Sequence, residues 1–248
     1  MSSAPRLPHA TKDLDSRARK ARKIEWLLAL PDDGRPLRLL EVGAGSGGIS
    51  QYFAHHPSNR FEVQAVDVVD GRETGDGYDF RLVNDSRLPF EDESFDVVIS
   101  NHVIEHVGCR SRQLRHLREL GRVLRKDGAG YLAVPNRWMI IEPHYALPFL
   151  SWLPRSFRDR YLSLAGRGEH YDCEPLQAHE LHALLHRAGL AYRHREIEAL
   201  RAIAKLEAAS PLVRALSHLP PSLMGLAQPL LPTFICIFNR QHDPADKR

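Results

Sequence analysis

The chain has 248 residues, of which 43% are hydrophobic and 26% are charged, and its formal net charge is +3. This length and composition allow one sizeable core and exclude the bias of a disordered or fibrous protein. The small positive charge is too weak a basis for a nucleic-acid partner, so we expect none.

The cysteine content and the absence of long apolar stretches indicate the compartment. Cys109, Cys173 and Cys236 are far apart and form no CxxC pair, so we expect neither a disulfide framework nor a metal site. The N-terminus lacks an apolar targeting segment, and no stretch is apolar over the thickness of a bilayer. We therefore predict a cytoplasmic protein that is neither exported nor integral to a membrane.

Helical and strand-like patterns alternate along the chain. Apolar spacing predicts helices at Asp13–Leu30, Ile49–His55, Gln113–Leu124 and Ala178–Ala188. Short apolar runs predict strands at Leu37–Val42, Phe61–Val66, Arg81–Val83, Phe95–Ser100, Tyr131–Val134, Leu190–Ile197 and Phe234–Phe238. This alternation is typical of βαβ units and a mostly parallel sheet.

The pattern of predicted helices and strands divides the chain into four parts. Residues 1–34 are predicted to form an N-terminal tail and helix, and residues 35–136 a cofactor-binding core. Residues 137–177, rich in Pro, Trp, Tyr, His and Arg, are predicted to form a lid over the acceptor. Residues 178–248 complete the fold and include an apolar, partly helical insertion at 200–231.

A glycine-rich turn follows the first predicted strand. Gly43, Gly45 and Gly47 allow the backbone to turn sharply and to approach a ligand closely. A dinucleotide site would instead show GxGxxG, with a pyrophosphate at the helix N-terminus. The spacing here is GxGxG, and it is preceded by the acidic Glu41, which we expect to support the loop rather than to act in chemistry.

Two further carboxylates follow neighbouring strands. Asp67 ends the second strand, where a carboxylate can accept hydrogen bonds from both ribose hydroxyls, and Asp85 follows the third, where it can accept from an adenine amino group. Each residue alone would suit a strand cap or a turn. Because ligands bind at the carboxyl ends of strands in open α/β sheets, the three loops predict one nucleoside crevice.

Residues 37–136 carry, in this order, GAGSG, Asp67, Asp85 before LPF, FDVVISNHVIEHV, ELGRVLRKDG and AVPN. Together these motifs resemble the type 11 class I methyltransferases. The resemblance implies an α/β, Rossmann-like, doubly wound sheet of seven strands, mostly parallel with an antiparallel last strand, and S-adenosylmethionine as methyl donor. The resemblance implies cofactor binding by Gly43, Ala44, Gly45, Asp67, Val68, Asp85, Ser86 and Asn101. From the glycine-rich turn itself we add Glu41 and Gly47.

Three histidines are candidates for a general base, which a hydroxyl acceptor would require. His102 and His106 follow the fourth strand on the rim of the crevice, and His144 lies in the predicted lid. A structural role is the alternative for each of them. The tract His170–Cys173 has spacing that could suggest metal ligands, but without a partner cluster we expect none.

Two apolar segments leave alternatives open. Trp138, Tyr145, Phe149 and Trp152 could form an acceptor wall beside the cations of Arg137, Arg155 and Arg158, or could simply close the core. Residues 200–231 could make peripheral contact with a membrane, or could pack against the sheet or a second subunit.

The sequence thus predicts a methyltransferase that acts on a hydroxyl of a small-molecule or lipid-linked acceptor, of glycan, quinone or polyketide type. Transfer to nitrogen or carbon of a small metabolite remains an alternative. A nucleotide-binding oxidoreductase would leave the Asp85 motif without a role, and a binding module would keep the cofactor as a structural ligand. The oligomeric state stays open.

Overall fold

The computed structural model describes residues 13–31, 33–84, 87–206 and 231–241. The strands of its main sheet are Leu37–Val42 (β1), Phe61–Asp67 (β2), Asp79–Leu82 (β3), Phe95–Asn101 (β4), Leu124–Pro135 (β5), Leu190–His194 (β8) and Thr233–Arg240 (β9). A small ribbon consists of Ile141–Glu142 (β6) and Leu147–Pro148 (β7). The helices are Leu14–Leu28 (α1), Gly48–Ala54 (α2), Arg110–Val123 (α3), Arg155–Leu164 (α4), Ala178–Arg187 (α5) and Glu196–Leu206 (α6).

The main sheet has seven strands in the order β3-β2-β1-β4-β5-β9-β8. The strands from β3 to β5 pair in parallel, whereas β9 is antiparallel to both of its neighbours. The predicted fold class is therefore confirmed, with the last strand of the chain as the antiparallel one. Chain order reverses at β1 and β4, which is where ligands bind in sheets of this kind.

Helices cover both faces of the sheet. Apolar side chains of α1, α2 and α6 pack on one face, and those of α3 and α5 pack on the other. The central strand β1 is therefore buried on both sides, and its Leu39 and Leu40 are both fully buried. Burial on two faces explains why its sequence is a continuous apolar run rather than an alternating one.

The fifth strand is longer than predicted. We expected the tract Lys126–Gly130 to end α3 and to precede the strand, but β5 begins directly after α3, at Leu124. Leu124 pairs with Phe95 and Ala129 pairs with Val97, so the register shifts where the extra residues are accommodated. Pairing with β4, which local propensity does not reveal, extends this strand.

The sixth strand, by contrast, is shorter than predicted. We placed its end at Ile197, but β8 ends at His194 and α6 begins at Glu196. The buried Glu196 carboxylate hydrogen-bonds His194 Nδ1 at 2.7 Å and the backbone N–H of Ile235 at 3.0 Å. These two contacts fix the first residue of α6 against β8 and β9.

The segment predicted as a lid, residues 137–177, is only partly helical. It contains the ribbon of β6 and β7, a short 3-10 turn at Leu150–Trp152 and α4. Its own small core consists of Leu147, Leu150, Leu162, Tyr171 and Cys173. It is therefore a packed unit rather than a linker.

Some predictions fall outside the described residues. These are the placement of Asp85 and Ser86 beside an adenine, and most of the apolar insertion at 200–231. Within the described ranges, no helix has both the length and the apolar character needed to cross a membrane.

Candidate functional site

The glycine-rich turn joins β1 to α2 with three residues in the left-handed region. The φ angles of Gly43, Gly45 and Gly47 are 87°, 53° and 81°. Residues with a Cβ atom rarely adopt such angles, so the backbone path itself requires glycine. Gly43 and Gly45 remain partly exposed at the end of β1, whereas Gly47 is buried.

The structure gives Gly43 and Gly47 a second reason to lack side chains. We predicted that a ligand approaches the backbone here, but the close neighbours in the structure are protein side chains. A Cβ atom on Gly43 would lie 2.3 Å from Val103 Cγ2, and one on Gly47 would lie 2.2 Å from the Tyr78 hydroxyl. These neighbours belong to the protein rather than to a ligand. The turn is thus packed tightly against the segments that follow β4 and β2.

Glu41 supports the turn from within. Its side chain is buried, and Oε2 accepts hydrogen bonds from Ser50 N at 2.9 Å and from Ser50 Oγ at 2.5 Å. Burial raises the pKa of Glu41 to about 7, although the bonds from Ser50 and the charge of Arg17 oppose this. The carboxylate therefore holds the first turn of α2, as expected of a loop-supporting residue.

Asp67 closes the turn from the next strand. Its Oδ2 accepts the backbone N–H of Gly45 at 2.9 Å, and its Oδ1 accepts that of Val68 at 2.7 Å. Each carboxylate oxygen has two lone pairs, so both keep the capacity to accept a hydroxyl. Val68 is 51% exposed beside it, which leaves an apolar surface next to a hydrogen-bonding one.

A second rim of the crevice begins where β4 ends. Asn101 is the last residue of β4, and His102 follows with a left-handed φ of 59°. His102 Nδ1 lies 3.2 Å from Glu105 Oε1. Burial acts to raise the pKa of Glu105, but the hydrogen bond with His102 and the nearby histidines outweigh it and hold the pKa below its usual range.

The structure brings His106 and His144 together across this rim. Their ring centroids are 5.3 Å apart. His106 lies in the turn that follows β4, whereas His144 lies in the 137–177 segment. His144 Nδ1 hydrogen-bonds the buried Glu142 at 2.7 Å. Burial would lower the pKa of His144, but this bond and the surrounding carboxylates raise it above its usual value.

Sequence reasoning expected Glu105 beside His102 and His106 but missed three further groups near these histidines. They are Glu142, Asp172 and Cys173, of which the last two come from the far end of the 137–177 segment. The premise that the 170–173 tract has no partner cluster is wrong, because Cys173 Sγ lies 3.8 Å from His106 Nδ1 and 3.9 Å from His144 Nδ1. His170 itself does not join them and instead pairs with Asp159 at 2.9 Å.

Some aromatic side chains of the 137–177 segment are exposed, and others pack within the segment. Trp138, Phe149 and Trp152 are 38–49% exposed and contact one another edge to face. Tyr145 instead packs on Tyr171 within the segment. The exposed group offers an apolar aromatic surface.

Two of the three arginines considered as cations beside the acceptor wall are engaged with the protein. Arg158 is buried and donates to the carbonyl oxygens of Leu153 and Ser151. Arg155 pairs with Glu174. These two cations therefore stabilise the segment around α4.

The described part of the crevice suits a nucleoside. It combines partly exposed backbone at Gly43 and Gly45, a carboxylate at Asp67 and an exposed apolar side chain at Val68. In the same turn, the buried Ser46 Oγ has no hydrogen-bond partner among the described residues. Polar groups left unsatisfied at a turn of this kind are expected where a ligand completes the bonding.

Comparison with known proteins supports the family resemblance over the matched residues. Residues 40–132 match the protein-family model described as a methyltransferase domain. The chain carries a methyltransferase domain. The predicted family resemblance is thereby confirmed, and the matched residues include the glycine-rich turn, Asp67, and the turn that carries His102 and His106.

Two curated relatives are similar to parts of this chain. The ubiquinone biosynthesis O-methyltransferase of Parvibaculum lavamentivorans is 30% identical over 135 residues, which are 50% of this chain and 51% of that protein. The phthiotriol/phenolphthiotriol dimycocerosates methyltransferase 1 of Mycobacterium ulcerans is 36% identical over 97 residues, 37% of this chain and 35% of that protein. The chain thus matches about half or less of the length of these relatives.

A solved structure of another protein shows the same fold. The geranyl diphosphate methyltransferase, in complex with S-adenosylmethionine, aligns with a TM-score of 0.52 at 17% identity. The alignment covers 90% of this chain and 85% of that one. At this identity the likeness establishes the architecture and carries no information about the acceptor.

Proposed function

We propose that this chain is a methyltransferase that moves a methyl group from S-adenosylmethionine to a hydroxyl of a small-molecule or lipid-linked acceptor. The observation that carries the proposal is the bond between Gly45 and Asp67, which joins the turn to the end of β2 within the methyltransferase domain. A carboxylate held at that place is suited to two adjacent ribose hydroxyls.

The donor side is assigned to the crevice between β1, β2 and β4. When bound, S-adenosylmethionine supplies an electrophilic methyl group on a sulfonium sulfur. In our proposal Asp67 accepts the ribose hydroxyls, Val68 packs on the adenine, and the backbone of 43–45 lines the methionyl part. Glu41 and Gly47 keep the turn in shape, and Asn101 lines the donor site. Asp85 and Ser86 belong to this assignment through the family resemblance alone.

The acceptor side is assigned to the rim that carries His102, His106 and His144. Of these, His144 is the preferred general base, because the buried Glu142 hydrogen-bonds its Nδ1 at 2.7 Å and so fixes its ring. His144 takes the proton from the acceptor hydroxyl, and the Glu142 carboxylate stabilises the imidazolium that forms. Placing the hydroxyl at near-attack distance supplies the rest of the catalysis.

Two observations support oxygen as the acceptor atom and an apolar acceptor. The relative from Parvibaculum is named as an O-methyltransferase of ubiquinone biosynthesis. In addition, Trp138, Phe149 and Trp152 present exposed aromatic surface on the 137–177 segment, which we propose as the acceptor lid. A quinone, a polyketide or a lipid-linked glycan would each offer apolar surface to these side chains.

The proposal includes the setting of the enzyme. We place it in the cytoplasm, where its three free cysteines would stay reduced, and assign it no nucleic-acid partner. Peripheral contact with a membrane through residues 200–231 remains part of the proposal.

A labelling experiment tests the function. The full chain is incubated with S-adenosylmethionine labelled in its methyl group and with separate acceptors that carry a phenolic hydroxyl, an aliphatic hydroxyl, an amine or an activated carbon. Mass spectrometry then locates the label. A methyl ether supports the proposal, whereas label on nitrogen or carbon overturns the choice of oxygen. Absence of turnover with all four classes, despite cofactor binding, would favour a binding module.

A further inference from the structure

Three side chains beside the acceptor rim converge on a small volume. Cys173 Sγ lies 3.8 Å from His106 Nδ1 and 3.6 Å from Asp172 Oδ1, and His106 Nδ1 lies 3.8 Å from Asp172 Oδ2. Suitable donor atoms of all three lie within 4.8 Å of one another. His106 follows β4, whereas Asp172 and Cys173 follow α4, so the fold assembles this group from two distant segments.

The separations of the donor atoms are compatible with ligands that move onto an ion. At 3.8 Å, the His106–Asp172 pair is longer than a strong imidazole–carboxylate bond of about 2.8 Å. Zinc lies about 2.0 Å from nitrogen or oxygen and about 2.3 Å from sulfur, so tetrahedral ligands are about 3.3 to 3.6 Å apart. One donor atom from each residue lies within 4.8 Å of the others. The side chains would therefore move inward by roughly 1 Å to reach the tetrahedral spacing.

The donor types also favour a particular cation. Burial and the neighbouring carboxylates raise the pKa of the Cys173 thiol, so Cys173 gives up a proton to solvent when it binds a cation. The imidazole nitrogen, the resulting thiolate sulfur and the carboxylate oxygen form a borderline-soft set, which suits Zn²⁺ and disfavours Mg²⁺ or Ca²⁺. Three protein ligands leave one of the four tetrahedral positions open. His144 stands beside this set, since its Nδ1 is 3.9 Å from Cys173 Sγ.

The surroundings supply a second, independent observation. Glu105 is fully buried, and its Oε2 has no hydrogen-bond partner within the described ranges. The Glu105 carboxylate also lies within 4.8 Å of donor atoms of His106 and His144. An unsatisfied buried carboxylate oxygen is costly, and a cation next to it would offset that cost.

Asp172 faces a cavity beside the cluster. This cavity of about 220 Å³ is lined in part by Asp172, Tyr171 and the cations of Arg155 and Arg158, and it is partly open to solvent. This volume is ample for a hydrated ion, because one water molecule occupies about 30 Å³ in the liquid.

We propose that His106, Asp172 and Cys173 bind one Zn²⁺ ion, with a fourth coordination position next to His144. The ion ties the 137–177 segment to the turn after β4. This site goes beyond the proposed function, because zinc binding by these residues requires neither S-adenosylmethionine nor turnover.

Cobalt substitution tests the ligands directly. The full chain is stripped of metal with a chelator and titrated with Co²⁺, whose thiolate charge-transfer band reports ligation by cysteine. We expect one Co²⁺ per chain with this band, and displacement of Co²⁺ by Zn²⁺. In Cys173→Ala the band is lost and the Zn²⁺ affinity falls at least about tenfold, since even changes outside the ligand shell cost that much.

Two control variants separate this site from the other cysteines. Cys109→Ala removes an exposed thiol, and Cys236→Ala removes the thiol that lies near His194 and Glu196. Both variants should keep the band. Loss of the band in Cys236→Ala, or its persistence in Cys173→Ala, would place the metal elsewhere and overturn the proposal, as would a wild-type chain that takes up no stoichiometric metal.

A further variant guards against misfolding of Cys173→Ala. Asp172 is only half-buried, so Asp172→Asn should fold, as checked by circular dichroism. It should bind Zn²⁺ at least about tenfold more weakly while keeping the thiolate band at saturating Co²⁺. Unchanged Zn²⁺ affinity in this folded variant would contradict the assignment.

Discussion

The backbone N–H of Gly45 donates a 2.9 Å hydrogen bond to Oδ2 of Asp67, although 22 positions separate the two residues in the chain. This bond links the glycine-rich turn to the carboxyl end of the neighbouring strand. The same carboxylate also caps the backbone of Val68 with its other oxygen. Two features that the sequence shows separately thus form one rigid edge of the proposed cofactor site.

Removal of the Asp67 carboxylate should weaken cofactor binding. In Asp67→Ala the ribose loses its charged acceptor, so we expect the affinity for S-adenosylmethionine to fall by about 1.5 to 3 kcal/mol, or about tenfold to 150-fold. Calorimetric titration measures this change. Asp70→Ala is the matched control, because Asp70 is exposed nearby and pairs with Arg72. Equal affinity of the Asp67→Ala and wild-type chains would refute the placement of the ribose.

A methyl group added at Gly43 should destabilise the fold beyond the strain of its backbone. A positive φ costs an alanine about 1 to 2 kcal/mol, and the clash with Val103 Cγ2 adds an overpacking cost of about 1 to 3 kcal/mol. Urea denaturation of Gly43→Ala should show both. The double variant Gly43→Ala, Val103→Ala removes the methyl groups that would clash and should recover part of the loss.

Gly166 provides the comparison for this variant. Its φ is also positive, at 64°, but a Cβ atom there meets nothing within 4 Å. Gly166→Ala should therefore show the strain alone. If Gly43→Ala is no less stable than Gly166→Ala, the close contact between the turn and Val103 does not matter energetically.

The buried Glu41 should make stability depend on pH. Burial raises its folded-state pKa to about 7, from an ordinary value of 4.5. Between these values the folded chain binds more protons than the unfolded chain, so the free energy of unfolding falls as pH rises through this window and is constant for this group above it. In Glu41→Gln the dependence disappears, so the stability of the variant relative to the wild type should rise by about 3 kcal/mol across the window.

Denaturation of both proteins at pH values from about 4.5 to 8 measures this difference. Glu62→Gln, which changes an exposed glutamate on β2, should show no such trend. If the difference in stability between Glu41→Gln and the wild type is constant across this pH range, Glu41 stays ionised when buried.

Loss of His144 should reduce turnover and leave cofactor binding intact. As the proposed general base, His144 contributes about 10²- to 10⁴-fold to the rate, so His144→Ala should lose that factor with an acceptor hydroxyl. Label transfer gives the rate, and calorimetry gives the cofactor affinity. His186→Ala, an exposed histidine of α5, should behave as wild type. Parallel loss of affinity and turnover in His144→Ala would indicate a structural residue.

The local sequence pattern was sufficient to predict much of the cofactor-binding core. The bounds of β1 were predicted to the residue, because a short apolar run enclosed by Pro36 and Gly43 permits little else. β5 and the start of α6 were not predicted correctly, since the pairing of Leu124 with Phe95 and the burial of Glu196 depend on partners that are remote in the chain.

The acceptor rim was harder to predict for the same reason. His102, His106 and His144 were recognisable as candidates from their residue type and position. Their setting was not, because the buried carboxylate of Glu142 and the thiol of Cys173 reach them only through the folding of the 137–177 segment. Titratable clusters assembled from distant loops carry no spacing signal in the sequence.

Parallel calorimetric titrations with S-adenosylmethionine, S-adenosylhomocysteine and NAD test the central claim most directly. We predict binding of the first two with one site per chain and no binding of NAD, because the turn has the GxGxG spacing next to Asp67 rather than the GxGxxG spacing that holds a pyrophosphate. Binding of NAD alone would contradict the assignment and point to an oxidoreductase.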